Sequence, residues 1–324
     1  MSDHINLDGL IYSEDDDSIK RLVDVIKVGL GRSGDVPTKA AALADDIRRL
    51  GATYSATGQS WEIVPNLCSI VVSVAHRLPP DHPWQDTFVQ AMQNLQQTDM
   101  DDEQESDEYD EQESDEYDEQ ESDEYDEQES DGDDEQESDE YDGQESDGDD
   151  ELLDENWKNL LALGIYMRDF WFDPTWRDGW TPEDVSRWEN LNSFAARFKT
   201  ETFVPWLNFP IWQLRDGLEE KLDKGPILNS RLWIATEWIL FYGELIFERQ
   251  ASEEECNESS ARSLRGGSLC LGIKPLSSAR LAFWKKRLLE MLDDREALEL
   301  SDGLAERVAK SAEKIDEFQN SQPQ

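Results

Sequence analysis

Residues 229–249 read NSRLWIATEWILFYGELIFER. Wound at about 100° per residue with Trp233 as origin, Glu237, Glu244 and Glu248 fall near 40°, 20° and 60°. Ile234, Trp238, Ile239, Tyr242, Leu245, Ile246 and Phe247 spread around nearly all the rest of the circumference. A helix with so narrow a polar stripe belongs at the centre of a fold. Its most apolar part, Leu232 to Phe247, carries Glu237 and Glu244 and falls short of the roughly twenty uncharged residues that cross a bilayer. A buried core helix is expected, with no membrane partner.

Working outward, the same 3.6-residue period recurs. Ser13 and an acidic first turn precede Ile19, Leu22, Val23, Ile26 and Leu30 on one face. Pro37 and Gly51 bracket a second helix, and Trp61–Ala75 and Trp84–Leu95 are two more, separated by LPPDHP at 78–83. Helices are also expected over Asn156–Phe172, from Pro182 after the cap Thr181 to about Lys199, then Phe209–Leu222, Asn229–Arg249, Ser277–Leu292 and Asp302–Gln319. Alternating β-branched runs are scarce, so the class is all-α, a multi-helix bundle-like domain.

That domain is interrupted. An octapeptide, EQESDEYD, starts at Glu103 and runs in six copies to Asp150, with Gly entering the later ones. Of the 76 acidic residues, 31 lie in 101–150, where there is no base. The rest carries 45 acids and 30 bases, so two thirds of the formal charge of −46 sits in fifty residues. With only tyrosines as apolar groups, this tract buries too little surface to offset ordering and repels itself, so disorder is expected. The expected organisation is an N-terminal helical half at 1–98, an acidic insertion at 99–154, and a Trp-rich helical half at 155–324. No Gly stands at the sixth position of an EF-hand loop. Ser130 and Ser146, each with Asp three residues on, are candidate sites for an acid-directed kinase, whose phosphates would add to the charge.

Chemistry is sparse. The histidines are His4, His76 and His82, outside any nucleophile or zinc pattern. The string GLGRSG at 29–34 is a literal G-x-G-x-x-G, but the run before it fits a helix better than the strand a dinucleotide turn needs. No catalytic, cofactor or metal residue is assigned. Cys68, Cys256 and Cys270 form no CxxC pair and leave one thiol over, the usage of a reducing, intracellular compartment, cytoplasmic or nuclear. The polar, acidic N-terminus gives no signal peptide. Most of the twelve Trp sit at core spacing, but Trp171, Trp176 and Trp180, around a Pro/Gly loop, could line a pocket, with Glu237 and Glu244 as candidate acid and base.

The helix from Pro182 contains WENLNSFAAR at 188–197. Relative to Trp188, Leu191 and Ala195 share its stripe, Asn192 lies inside it at about 40°, and Arg197 faces the opposite way. Asn192 is therefore expected as a buried amide with a hydrogen-bond partner, and Arg197 in an ion pair between helices. This W-x-x-L-N-x-F-A-A-R string resembles the motif of a fungal family defined only as a domain of unknown function. IWQLR at 211–215, Trp238-Ile239 with Tyr242-Gly243, and Gly266-Gly267 followed by Arg280 and Phe283-Trp284-Lys285 are similar to it in the same order. Leu271 and Leu281 depart from it, standing where that family carries Trp. The resemblance implies a fungal, intracellular, helical protein and no reaction.

Between Ser259 and Leu289 there are seven bases (Arg262, Arg265, Lys274, Arg280, Lys285, Lys286, Arg287) and no acid. A nucleic-acid patch there would compete with the acidic tract, so nucleic acid is not the expected partner. The expected function is non-enzymatic: a binding or scaffold protein whose acidic repeat binds a basic protein, or masks its own basic segment. The competing class is a small-molecule-binding protein or enzyme with a Trp-lined pocket. The sequence does not set the oligomeric state.

Overall fold

The computed structural model describes residues 5–10, 17–55, 63–107, 161–198 and 208–321. Among them are eleven α-helices and no strand. They are α1 Asp17–Leu30, α2 Val36–Ser55, α3 Ile63–Ala75, α4 Pro83–Asp107, α5 Leu161–Asp169, α6 Pro182–Arg197, α7 Asn208–Leu214, α8 Pro226–Ala251, α9 Glu258–Ser263, α10 Ser278–Asp293 and α11 Asp302–Ser321. A single π-helical turn, Arg215–Glu219, extends α7. No helix among the described residues is long and apolar enough to cross a membrane.

Helix α8 is the axle. It buries residues on every side, from Leu228 and Leu232 through Trp238 and Ile239 to Ile246 and Phe247. It packs against α6, α7, the π turn, α10 and α11. Its glutamates divide: Glu244 and Glu248 are exposed, while Glu237 is fully buried. In the first half, α1 to α4 pack on one another, and α3 and α4 both meet α6. Buried side chains from Leu7 to Ile315 form one contiguous core, so the helices on either side of the acidic stretch share an interior.

The cap of α6 is set locally. Thr181 Oγ1 accepts from Asp184 N–H at 3.2 Å, and the Asp184 carboxylate accepts from Thr181 N–H at 2.9 Å, with Pro182 at the first helical position. This reciprocal box satisfies two otherwise orphaned donors.

Several expected boundaries are corrected. Helix α2 runs through Gly51 to Ser55. Glycine inside a helix costs about 1 kcal/mol, which packing of Tyr54 on the core helps offset. Helix α4 continues past Leu95 to Asp107, because the intervening residues include neither Pro nor Gly to stop it. The expected helix 209–222 is instead α7, a π turn and an end at Glu219. The reason is the close pass of α8: a Cβ on Gly217 would lie 2.7 Å from Arg231 O and 2.9 Å from Ala235 Cβ. Residues 22–28 of the glycine string's approach lie within α1, so it is no dinucleotide turn. The start at Ser13, Trp61, residues 108–154 of the insertion with Ser130 and Ser146, and the segment Asn156–Leu160 lie outside the described residues.

The halves are also tied by hydrogen bonds. Asn190 Nδ2 donates to His76 O at 2.9 Å. Burial pushes the His76 side chain down to about 4, with Arg187 and Arg77 adding to the effect. The unfolded chain takes up this proton near pH 6.5. The contribution of neutral His76 is therefore complete above that pH and is lost as pH falls toward about 4. Stability should drop by about 2 kcal/mol from this group between pH 7 and 4.5. Urea midpoints across that range test it: His76→Gln should flatten this part of the profile, and an unchanged profile would refute it.

Candidate functional site

The two most elaborate polar constellations involve the WENLNSFAAR helix and the Gly266-Gly267…Arg280 segment. In the second, Glu219 closes the π turn and is fully buried. Its Oε1 accepts from Arg280 Nε at 2.7 Å and Trp284 Nε1 at 2.6 Å, and its Oε2 from Arg280 Nη2 at 3.0 Å and Gly267 N–H at 2.7 Å. The remaining guanidinium donors go to the carbonyls of Leu264 at 2.6 Å, Pro275 at 2.9 Å and Arg265 at 3.3 Å. All five N–H groups of the fork are thus used, as a buried arginine requires. Gly267 is needed for close approach, since a Cβ there would lie 2.7 Å from Glu219 O.

The first constellation centres on Glu237. Its Oε1 accepts from Ser193 Oγ at 2.6 Å. Arg197 pairs with the same oxygen and Arg307 with Oε2. Arg197 also lies 3.4 Å from Asp86 of α4 and stacks 3.8 Å above the Phe241 ring. Arg307 stacks 4.8 Å from the Trp233 centroid and donates to Thr236 Oγ1 at 3.2 Å. One carboxylate therefore joins α6, α8 and α11. Beneath it, Asn192 donates to Trp188 O at 3.0 Å and accepts from Trp238 Nε1 at 3.0 Å, wholly buried.

Both carboxylates are buried and held by arginines and further donors, four contacts for Glu219 and three for Glu237, an arrangement that fixes helices. Glu244 is exposed while Glu237 is sealed, so the structure does not bring the proposed acid and base together in a cleft. Nor does it form the three-tryptophan pocket. Trp171 is in the core, stacked on Phe209 at 4.1 Å and edge-on to Trp188 at 5.0 Å. Trp176 is 64% exposed and Trp180 half-buried. The cause is Asp173, whose Oδ1 caps Thr175 N–H at 2.8 Å and whose Oδ2 pairs with Arg231 at 3.2 Å, turning the loop between the tryptophans.

Trp176 does overlook a cleft of about 480 Å³ above the Glu219 knot, with Arg215, Asp216, Arg231 and Arg265 around it. Burial raises the Asp216 carboxyl against the pull of Arg215 and Arg231. Two of its arginines are already paired, Arg215 with Asp216 at 3.3 Å and Arg231 with Asp173.

The basic segment does not form a free patch. Arg280 is inside the protein, while Arg262 pairs with Glu258, Lys285 with Asp316, and Lys286 and Arg287 with Glu290. Arg265 and Lys274 are exposed with no ion pair among the described residues. Glu258 and Glu290 flank 259–289 and pair within one helical turn, whereas Glu219 and Asp316 are remote in the chain and only the fold brings them to Arg280 and Lys285.

The thiols of Cys68 and Cys270 are held in the unreactive protonated form. Burial pushes Cys68 up to about 12 and Cys270 to about 11, and only a thiolate is a strong nucleophile. Among the described residues no group of three or more His, Cys, Asp or Glu is arranged to hold a metal ion. No curated protein and no solved structure matches the chain. Residues 69–288, which contain the Glu219 constellation and all of the Glu237 one except Arg307, match the family model described as Protein of unknown function (DUF3632), and the chain belongs to that family.

Proposed function

We propose that the chain is a binding protein without a reaction of its own, and that its acidic repeat engages a cationic protein. The observation that carries this is the pairing within the basic segment. Five of its seven bases are answered by acids of the helical domain, which leaves only Arg265 and Lys274 of that segment to set against the 31 acids of 101–150. Self-masking is correspondingly disfavoured, and an external basic partner is what the charge balance asks for. A fungal source and residence in cytoplasm or nucleus belong to the same reading. Phosphorylation at Ser130 and Ser146 would tighten such binding by adding about 1.5–2 charges each.

The test is a fluorescence titration of a Lys/Arg-rich peptide with the full chain and with a chain lacking 101–150. Binding by the full chain should weaken at least about tenfold between roughly 50 and 300 mM salt as charges are screened. The deletion should bind at least about tenfold more weakly at the lower salt while melting at the same temperature. Equal affinity of the two proteins would overturn the proposal.

A further inference from the structure

We propose that Ser252, where α8 ends, is a phosphorylation site for an acid-directed protein kinase, and that its phosphate loosens the junction between α8 and α10. Among the serines of the described residues, Ser252 alone is followed by three acids, Glu253, Glu254 and Glu255. Acids in those places are what a kinase with a basic substrate groove selects by charge complementarity. All four residues are exposed, and 253–257 form neither helix nor strand. Glu253 has a φ of 51°, the left-handed conformation with which many helices stop. Glu254 is paired with Arg249, while Glu255, three residues past the acceptor, has no ion pair among the described residues. Ser186 shows what the fold adds. It too has an acid three residues on, Glu189, but both lie inside α6, where a helical backbone cannot extend into a kinase groove.

In the transfer, Ser252 Oγ forms a bond to the γ-phosphorus of ATP and the bond from that phosphorus to the β–γ bridging oxygen breaks. ADP leaves, and the hydroxyl proton goes to the kinase's catalytic carboxylate. The product carries about 1.5–2 added negative charges. Ser252 caps α8, its N–H donating to Glu248 O at 3.0 Å and its hydroxyl to Arg249 O at 2.9 Å. Phosphorylation removes the second donor and sets a dianion at the negative end of the helix dipole. Its neighbours in 248–255 are the acids Glu248, Glu253, Glu254 and Glu255, against Arg249 as the one base. A phosphate so placed frays the last turn. Gln250 in that turn is fully buried, and its Oε1 accepts from Ser277 N–H at 2.9 Å. Ser277 caps α10, whose third residue is Arg280 of the Glu219 knot, so the end of α8 is tied to the start of α10.

The site lies outside the acidic repeat, so this proposal and the preceding one can fail separately. The test treats the full chain with casein kinase 2 and magnesium ATP, maps phosphate by mass spectrometry of the tryptic peptide 250–262, and follows amide hydrogen exchange before and after. Phosphate at Ser252 is expected, with a rate at least about tenfold lower in Glu255→Ala. Exchange at 249–252 and 277–280 should be at least about tenfold faster in the phosphorylated chain. Ser252→Ala, treated in the same way, should keep its slow exchange there even if the repeat takes up phosphate. Both variants alter only exposed side chains and should fold. No phosphate at Ser252, an undiminished rate in Glu255→Ala, unchanged exchange on phosphorylation, or equal acceleration in Ser252→Ala would each overturn the proposal.

Discussion

Arg280→Ala is expected to lose about 3–5 kcal/mol of stability, the usual consequence of leaving one member of a buried ion pair alone. That is a large share of the 5–15 kcal/mol that holds a typical domain together. The substitution leaves the Glu219 carboxylate fully buried with two donors, Trp284 and Gly267, instead of four. It also removes the guanidinium donors from the carbonyls of Leu264, Arg265 and Pro275. Arg280→Lys should be nearly as damaging, because an ammonium cannot reproduce the planar five-donor fork. The informative comparison is the double variant Glu219→Leu with Arg280→Met, which deletes both charges and should recover a substantial part of the loss. Urea denaturation followed by helical circular dichroism measures all three, and a loss below about 1 kcal/mol for Arg280→Ala would contradict the knot's structural weight.

Trp238→Ala is expected to cost a similar amount, about 3–5 kcal/mol, from a cavity in the middle of α8. Trp238 is fully buried, edge-on to Tyr242 at 5.6 Å and to Trp171 at 6.3 Å. Its indole N–H also holds Asn192 Oδ1, so two effects are mixed in the alanine variant. Trp238→Phe separates them: most of the ring volume stays and the donor goes, leaving a buried amide oxygen short of its partner at about 1–3 kcal/mol. Pairing Trp238→Phe with Asn192→Leu should then recover part of that smaller loss. If Trp238→Phe is as stable as the parent by the same urea measurement, the Asn192 hydrogen bond has no energetic importance.

The parts legible in the sequence are those decided within one or two helical turns. Thr181 and Asp184 are three residues apart, and their box needs nothing from elsewhere. Asn192 lies in an apolar stripe, which by itself demands a partner, although not that the partner is Trp238. The illegible parts are made by residues far apart in the chain. Arg280 looks like one more surface base, because Glu219 stands 61 positions earlier. Glu237 looks like the wet edge of a core helix until Arg307, 70 positions later, covers it. The π turn depends on where α8 passes Gly217, and the cover over Glu237 exists only once α11 has docked. Neither leaves a periodic signal in its own segment.

The all-round burial of α8 also shapes how the chain is made. Synthesis runs from the N-terminus, and α10 and α11, which cover two flanks of α8, follow it in the sequence. While the ribosome is adding residues 278–321, the side of α8 that carries Phe247 lacks the cover that Phe318 later provides. An apolar helix in that interval invites association with other nascent chains. Docking of α11 ends that exposure, and Arg307 then reaches Glu237, so a helix made about fifty residues after α8 is needed to close its core.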